Sequence, residues 1–169
     1  MLHRIGWLLL ATLLASAPAA AQQEQGDVEL EFTGSLITTA GSEETSGIGI
    51  IQSKLGRFVT DRWELGAFPS LEVRFNEQRT DTRLGLGLFA VYSYLRPDAM
   101  TAPYVGASVY KSDASTGFDA DDSWGGLNAG VKVYINSNMA FDMGFDYLFA
   151  LQDQGGQLVI VRAGLSFLL

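Results

Sequence analysis

Along Met139–Ala150 (MAFDMGFDYLFA), positions 141, 143, 145, 147 and 149 carry Phe, Met, Phe, Tyr and Phe, while Asp142, Gly144 and Asp146 fall between them. A repeat of two is the mark of a β-strand, whose side chains point alternately to opposite faces. One face of this strand is a row of large apolar groups and the other holds two carboxylates. The carboxylates need water or a cation, and the apolar row needs a core or lipid.

The same alternation recurs along the chain. It predicts strands at about 28–38, 47–59, 63–76, 82–94, 102–111, 124–135, 139–150 and 157–169, separated by polar turns such as AGSEETS at 40–46 and SDASTGFDADDS at 112–123. In the first strand Val28, Leu30, Phe32 and Leu36 oppose Glu29, Glu31, Thr33 and Ser35; in the fourth, Leu84, Leu86, Leu88 and Tyr92 oppose Arg83, Gly85, Gly87 and Phe89. Two places break the rhythm. In the second strand Ile51 and Leu55 oppose Gln52 and Lys54, yet Ile48 and Ile50 join the polar face, which predicts a bulge near Ile50 and Ile51. In the third, Pro69 gives up a ladder hydrogen bond, and a bulge is expected there too. Arg57 falls on the apolar face at a strand end, where a long basic side chain can snorkel.

Strands of this length exceed the roughly five or six residues usual in globular sheets and match the roughly 9–11 of a tilted membrane-crossing strand. The polar-face charges identify the enclosed side. Glu29, Glu31, Glu64, Glu72, Asp142 and Asp146 stand against Lys54, Arg74, Arg83, Lys132 and Arg162, close to balance, whereas the excess acid lies mostly in turns such as Glu43, Glu44, Asp113, Asp119, Asp121 and Asp122. Near-neutrality on one face is expected where charges must pair out of water. Gly56, Gly66, Gly85, Gly87, Gly106, Gly130, Gly144 and Gly164 share that face with Phe89, Tyr104, Tyr110 and Tyr134, as converging side chains in a narrow barrel require. The expected fold is therefore all-β: an eight-stranded antiparallel up-and-down transmembrane β-barrel with a polar, side-chain-filled lumen. Its apolar face meets lipid, with Trp63, Tyr92, Tyr94 and Tyr147 at the interfaces. A secreted lipocalin-like barrel would reverse the two faces.

Composition narrows the compartment. His3 and Arg4, an apolar run over 5–15 and Ala19-Ala20-Ala21 before Gln22 predict a cleaved export signal at 1–21 and a barrel domain at 22–169. Its removal takes away Arg4 and no acid, leaving 10 basic and 19 acidic residues, a net charge of about −9 that argues against a nucleic-acid partner. There is no Cys, and the only His is His3. Beyond residue 21 no apolar run approaches the roughly 18–20 residues of a membrane helix, so spanning requires a closed barrel.

At this point the chain resembles the small bacterial outer-membrane β-barrel proteins, the OmpA-like and OmpX-like group of porin-family barrel domains, over about residues 27–169. The resemblance rests on the export segment, the eight-strand meander, Gly56-Arg57-Phe58-Val59-Thr60-Asp61-Arg62-Trp63-Glu64-Leu65-Gly66, Ala102-Pro103-Tyr104-Val105-Gly106-Ala107, and the ending. Arg162, Gly164, Phe167 and Leu169 look like that family's C-terminal assembly signal, with Leu169 where a Phe is usual. The resemblance implies an integral protein of the bacterial outer membrane, monomeric, with outer-membrane lipid and the barrel-assembly machinery as partners.

Enzymes of the family commonly use histidine as general base, and none remains after cleavage, so no catalysis is expected. Asp142 and Asp146, two apart on one face, are expected to pair with Lys132 or Arg162 rather than act as an acid–base couple. The Asp119–Asp122 cluster lacks the spacing and glycine of a calcium loop, and no cofactor or metal is expected. The function expected is a non-enzymatic outer-membrane barrel with a structural or surface-interaction role, its outside partner unspecified. A narrow porin-like channel, or a barrel that binds a small ligand or lipid, is the alternative.

Overall fold

The computed structural model describes residues 23–40, 45–76, 80–95, 99–112, 123–151 and 156–169; the expected export segment and the Asp119–Asp122 cluster lie outside them. Eight strands, β1 (Val28–Ala40), β2 (Thr45–Phe58), β3 (Trp63–Asn76), β4 (Thr80–Ser93), β5 (Thr101–Lys111), β6 (Ser123–Asn136), β7 (Met139–Ala150) and β8 (Gln157–Leu168), form a closed barrel in sequence order. Every neighbouring pair is antiparallel, including β1 with β8, so the sheet has no free lateral edge. The first and last described residues and the turns β2–β3, β4–β5 and β6–β7 gather at one rim, the terminus end. The opposite rim is the loop end.

The face assignment follows the alternation. Leu65, Leu84, Leu86, Leu88, Val105, Phe145, Val159 and Val161 are exposed on the outside, while Glu29, Glu31, Lys132, Asp142 and Arg162 are buried within. Trp63 packs edge-on against Tyr92 with centroids 5.2 Å apart at the terminus end, and Tyr147 lies beside Phe149 toward the loop end. Rings at both margins of an apolar belt match the two membrane interfaces.

Two local expectations are corrected. No bulge occurs at Ile50 and Ile51: β2 keeps one register with β1 and β3 throughout, and Ile48 and Ile50 point into the lumen because the lumen carries an apolar layer at their level. Pro69 does not bulge β3 either. It pairs with Leu86 in an unbroken ladder to β4, and its missing N–H falls on the β2 side, where the pairing skips from Gln52–Ser70 to Leu55–Ala67 without losing register. The register shift lies instead in β6, between Tyr134 and Asn136, next to the two-residue turn into β7. β4 also starts two residues before the expected Thr82, which brings Asp81 into the sheet.

The chain enters from beneath the barrel. The Glu24 N–H donates to Asp27 Oδ2 at 2.9 Å, and the Gly26 and Phe58 amides tie the segment to the base of β2. Gly26 has φ of 104°, a conformation that side chains with a Cβ resist. Gly26→Ala is expected to lower stability by roughly 1 kcal/mol, read from denaturant unfolding in detergent.

The lumen as candidate functional site

Carboxylates and cations from six strands meet inside the barrel. Glu31 of β1 is the centre: Lys54 Nζ of β2 lies 3.1 Å from it, Arg162 Nη1 of β8 2.7 Å, and Lys132 Nζ of β6 4.0 Å. Lys132, 1% exposed, also pairs with Glu29 and reaches within 3.7 Å of Glu64 from β3. Arg162 extends the network to β7, lying 3.5 Å from Asp142 and 3.2 Å from Asp146. Burial of so much charge is tolerable only because each group faces an opposite one.

Tyr104 of β5 completes the arrangement. Its hydroxyl donates to Asp142 Oδ1 at 2.9 Å and accepts from Arg162 Nη2 at 2.6 Å, while the Lys132 and Arg162 cations stand 5.8 and 5.6 Å from the ring centre. The glycines make room for it. A Cβ at Gly130 or Gly144 would collide with the Tyr104 hydroxyl, and one at Gly87 would meet the Phe68 ring. This is the small-beside-large packing that a narrow barrel imposes.

Apolar layers lie on either side of the ions. Toward the terminus end Phe58, Ala102, Tyr134, Ala140 and Leu168 form a floor, all buried, and Gln23 reaches under it to donate to the Tyr134 hydroxyl. Toward the loop end Ile50, Leu148 and Ile160 close over the lumen, packed by Ile37, Ile48, Trp124 and Leu158. Between network and ceiling lies a cavity of about 30 Å³ bordered by Gln52, Ser70, Ser108, Asn128 and Asp146. It has room for about one or two waters.

Of the residues singled out in the sequence, Glu29, Glu31, Lys54, Glu64, Lys132, Asp142, Asp146 and Arg162 form this single network. Glu72, Arg74 and Arg83 do not join it. Arg74 pairs with Glu72 and Arg83 with Asp81, each two residues along its own strand near the loop end. Tyr104, Asp81 and the apolar layers were not read as parts of a site. Tyr104 could have been, since a tyrosine on an enclosed face needs a partner for its hydroxyl. Arg162 and Gly164 of the expected assembly signal face inward, Arg162 as a network member, whereas Phe167 is half-buried and Leu169 exposed at the last turn of pairing. Chemically the site holds charges in place: Asp142 is fully buried, and Tyr104 and Arg162 occupy its approach.

An ion-filled, closed barrel with an apolar belt defines an integral membrane β-barrel of the outer-membrane type. Comparison with solved structures gives the same fold. The chain is similar to the N-terminal barrel domain of Pseudomonas aeruginosa OprF, with TM-score 0.62 and 21% identity, covering 87% of this chain and 100% of that one. It is similar also to Neisserial surface protein A, with TM-score 0.58, 15% identity and coverage of 83% and 95%. The outer membrane protein OprG of Pseudomonas aeruginosa matches with TM-score 0.51, 11% identity and coverage of 89% and 99%. At such identities the likeness is one of fold. No protein-family model matches the sequence, and no curated protein does so.

Proposed function

We propose that the chain is a non-enzymatic, monomeric barrel of the bacterial outer membrane that contributes to envelope structure or presents its loop end to a partner outside the cell. The observation that carries this reading is the lumen: ions paired across strands, closed by apolar layers above and below. Such an interior stiffens the barrel and fills much of the lumen among the described residues. Short turns and the chain ends would face the periplasm, and the longer loops the exterior.

Residues 1–21 would direct export and be removed, and the final strand, with Arg162, Gly164, Phe167 and Leu169, would be read by the barrel-assembly machinery. Leu169 is exposed and Phe167 half-buried on the outer face of that strand.

The alternative, a narrow porin-like channel or a small-ligand barrel, asks for space that a cavity of about 30 Å³ does not provide. Recording of the purified protein in planar bilayers is expected to give no steady open level above the baseline. Sustained, reproducible conductance steps would overturn the closed-lumen reading.

A further inference from the structure

Among the described residues, two guanidinium groups at the terminus end lie outside the lumen network. Arg57 of β2 is exposed on the hydrocarbon-facing wall, with exposed Leu55 and Val59 two residues away on either side and Leu65 opposite it across the ladder. Among the described residues its guanidinium makes neither an ion pair nor a hydrogen bond. Arg62, in the β2–β3 turn, donates from Nη1 to the Tyr92 hydroxyl at 3.2 Å, and Trp63 stacks edge-on against the same Tyr92. The Val59 amide donates to the Trp63 carbonyl at 2.8 Å, which brings the turn back beside Arg57.

The turn contains one acid, Asp61, and its Oδ1 accepts the Gln25 amide at 3.1 Å. Thr60, Asp61, Arg62, Trp63 and Tyr92 border a shallow, open depression, and Arg57 lies on the wall outside it. General basicity does not explain the patch, because acids outnumber bases 19 to 11 in the whole chain.

A cation among leucines at the edge of hydrocarbon needs an anion or water for its charge. The planar guanidinium matches two phosphate oxygens at once. Tryptophan and tyrosine settle at headgroup depth, which puts the depression at the same level.

We propose that Arg57, Arg62, Trp63 and Tyr92 form a binding site for the phosphate of an anionic phospholipid in the membrane leaflet at the terminus end. The acyl chains lie along Leu55 and Leu65. This inference rests on the reading of the chain as a membrane-embedded barrel.

Native mass spectrometry of the full mature protein, released from neutral detergent micelles after incubation with phosphatidylglycerol, phosphatidylcholine or inorganic phosphate, tests it. Phosphatidylglycerol is expected to be retained about tenfold more than phosphatidylcholine, because both offer the same phosphate but the choline ammonium of the latter stands against the two guanidinium groups. The R57Q/R62Q variant is expected to erase that preference, each single variant to reduce it, and R83Q near the loop end to leave it unchanged. Equal retention of the two lipids by the wild type, an undiminished preference in R57Q/R62Q, or retention of inorganic phosphate as strong as that of the lipid would overturn the site. A mature chain that stays monomeric in water without detergent would overturn the barrel reading and the site together.

Discussion

Changing Lys132 to methionine is expected to destabilise the folded barrel by about 3–5 kcal/mol, the cost of removing one partner from a buried ion network. Lys132 is 1% exposed, and its ammonium group is shared by Glu29, Glu31 and Glu64. Without it Glu29 and Glu64 keep no cation within salt-bridge distance among the described residues, and Glu31 retains Lys54 and Arg162. Denaturant unfolding in detergent or lipid, followed by tryptophan fluorescence, measures the loss. Arg83→Met provides the contrast: its side chain is 32% exposed and that of its partner Asp81 42%, so no buried charge is left behind and the expected loss is below about 1 kcal/mol. Equal losses at the two sites would contradict an interior shielded from water.

Gly66→Val is expected to be nearly as damaging, through volume rather than charge. A Cβ at Gly66 would run into the Leu55 carbonyl, the Phe89 ring at 2.6 Å and the Gly56 Cα at 2.7 Å. Two of those three obstacles are backbone of the adjoining strand, held by the Gly56–Gly66 and Leu55–Ala67 pairs. They can move only by breaking the ladder. A loss of about 3 kcal/mol is expected, seen as a lower yield of folded barrel on refolding into micelles. Gly34→Ala is the control, because nothing lies within 4 Å of its added Cβ, and a change within about 0.5 kcal/mol is expected.

The strands and their two faces were legible in the sequence because a sheet repeats every two residues and one face here is almost uniformly apolar, as in β4 and β7. What alternation does not encode is height. Arg83 and Lys132 both sit on the inner face, yet Lys132 lies deep among Glu29, Glu31 and Glu64 while Arg83 ends beside Asp81. Their levels depend on strand tilt and stagger, which emerge only when the barrel closes. The same limit explains the error at Ile48 and Ile50. An inner face was expected to be polar along its whole length, so two isoleucines there read as a slipped register, although they belong to a layer completed by Leu148 and Ile160 from β7 and β8. Pro69 misled for a different reason: a proline leaves a ladder intact when its vacant side coincides with a gap in pairing, and that gap is visible only with β2 in place.

The seam between the first and last strands has a consequence for biogenesis. β1 and β8 pair only along Glu29–Gly34, and Arg162 brings the cation from β8 that meets Glu31 on β1 and the carboxylates of β7. A half-built sheet would hold Glu31, Asp142 and Asp146 without that counter-charge and would present bare strand edges to lipid, both costly in hydrocarbon. Partially inserted intermediates are thereby penalised until the final hairpin arrives, and docking of β8 both completes the circle and delivers the third cation to a network of five carboxylates.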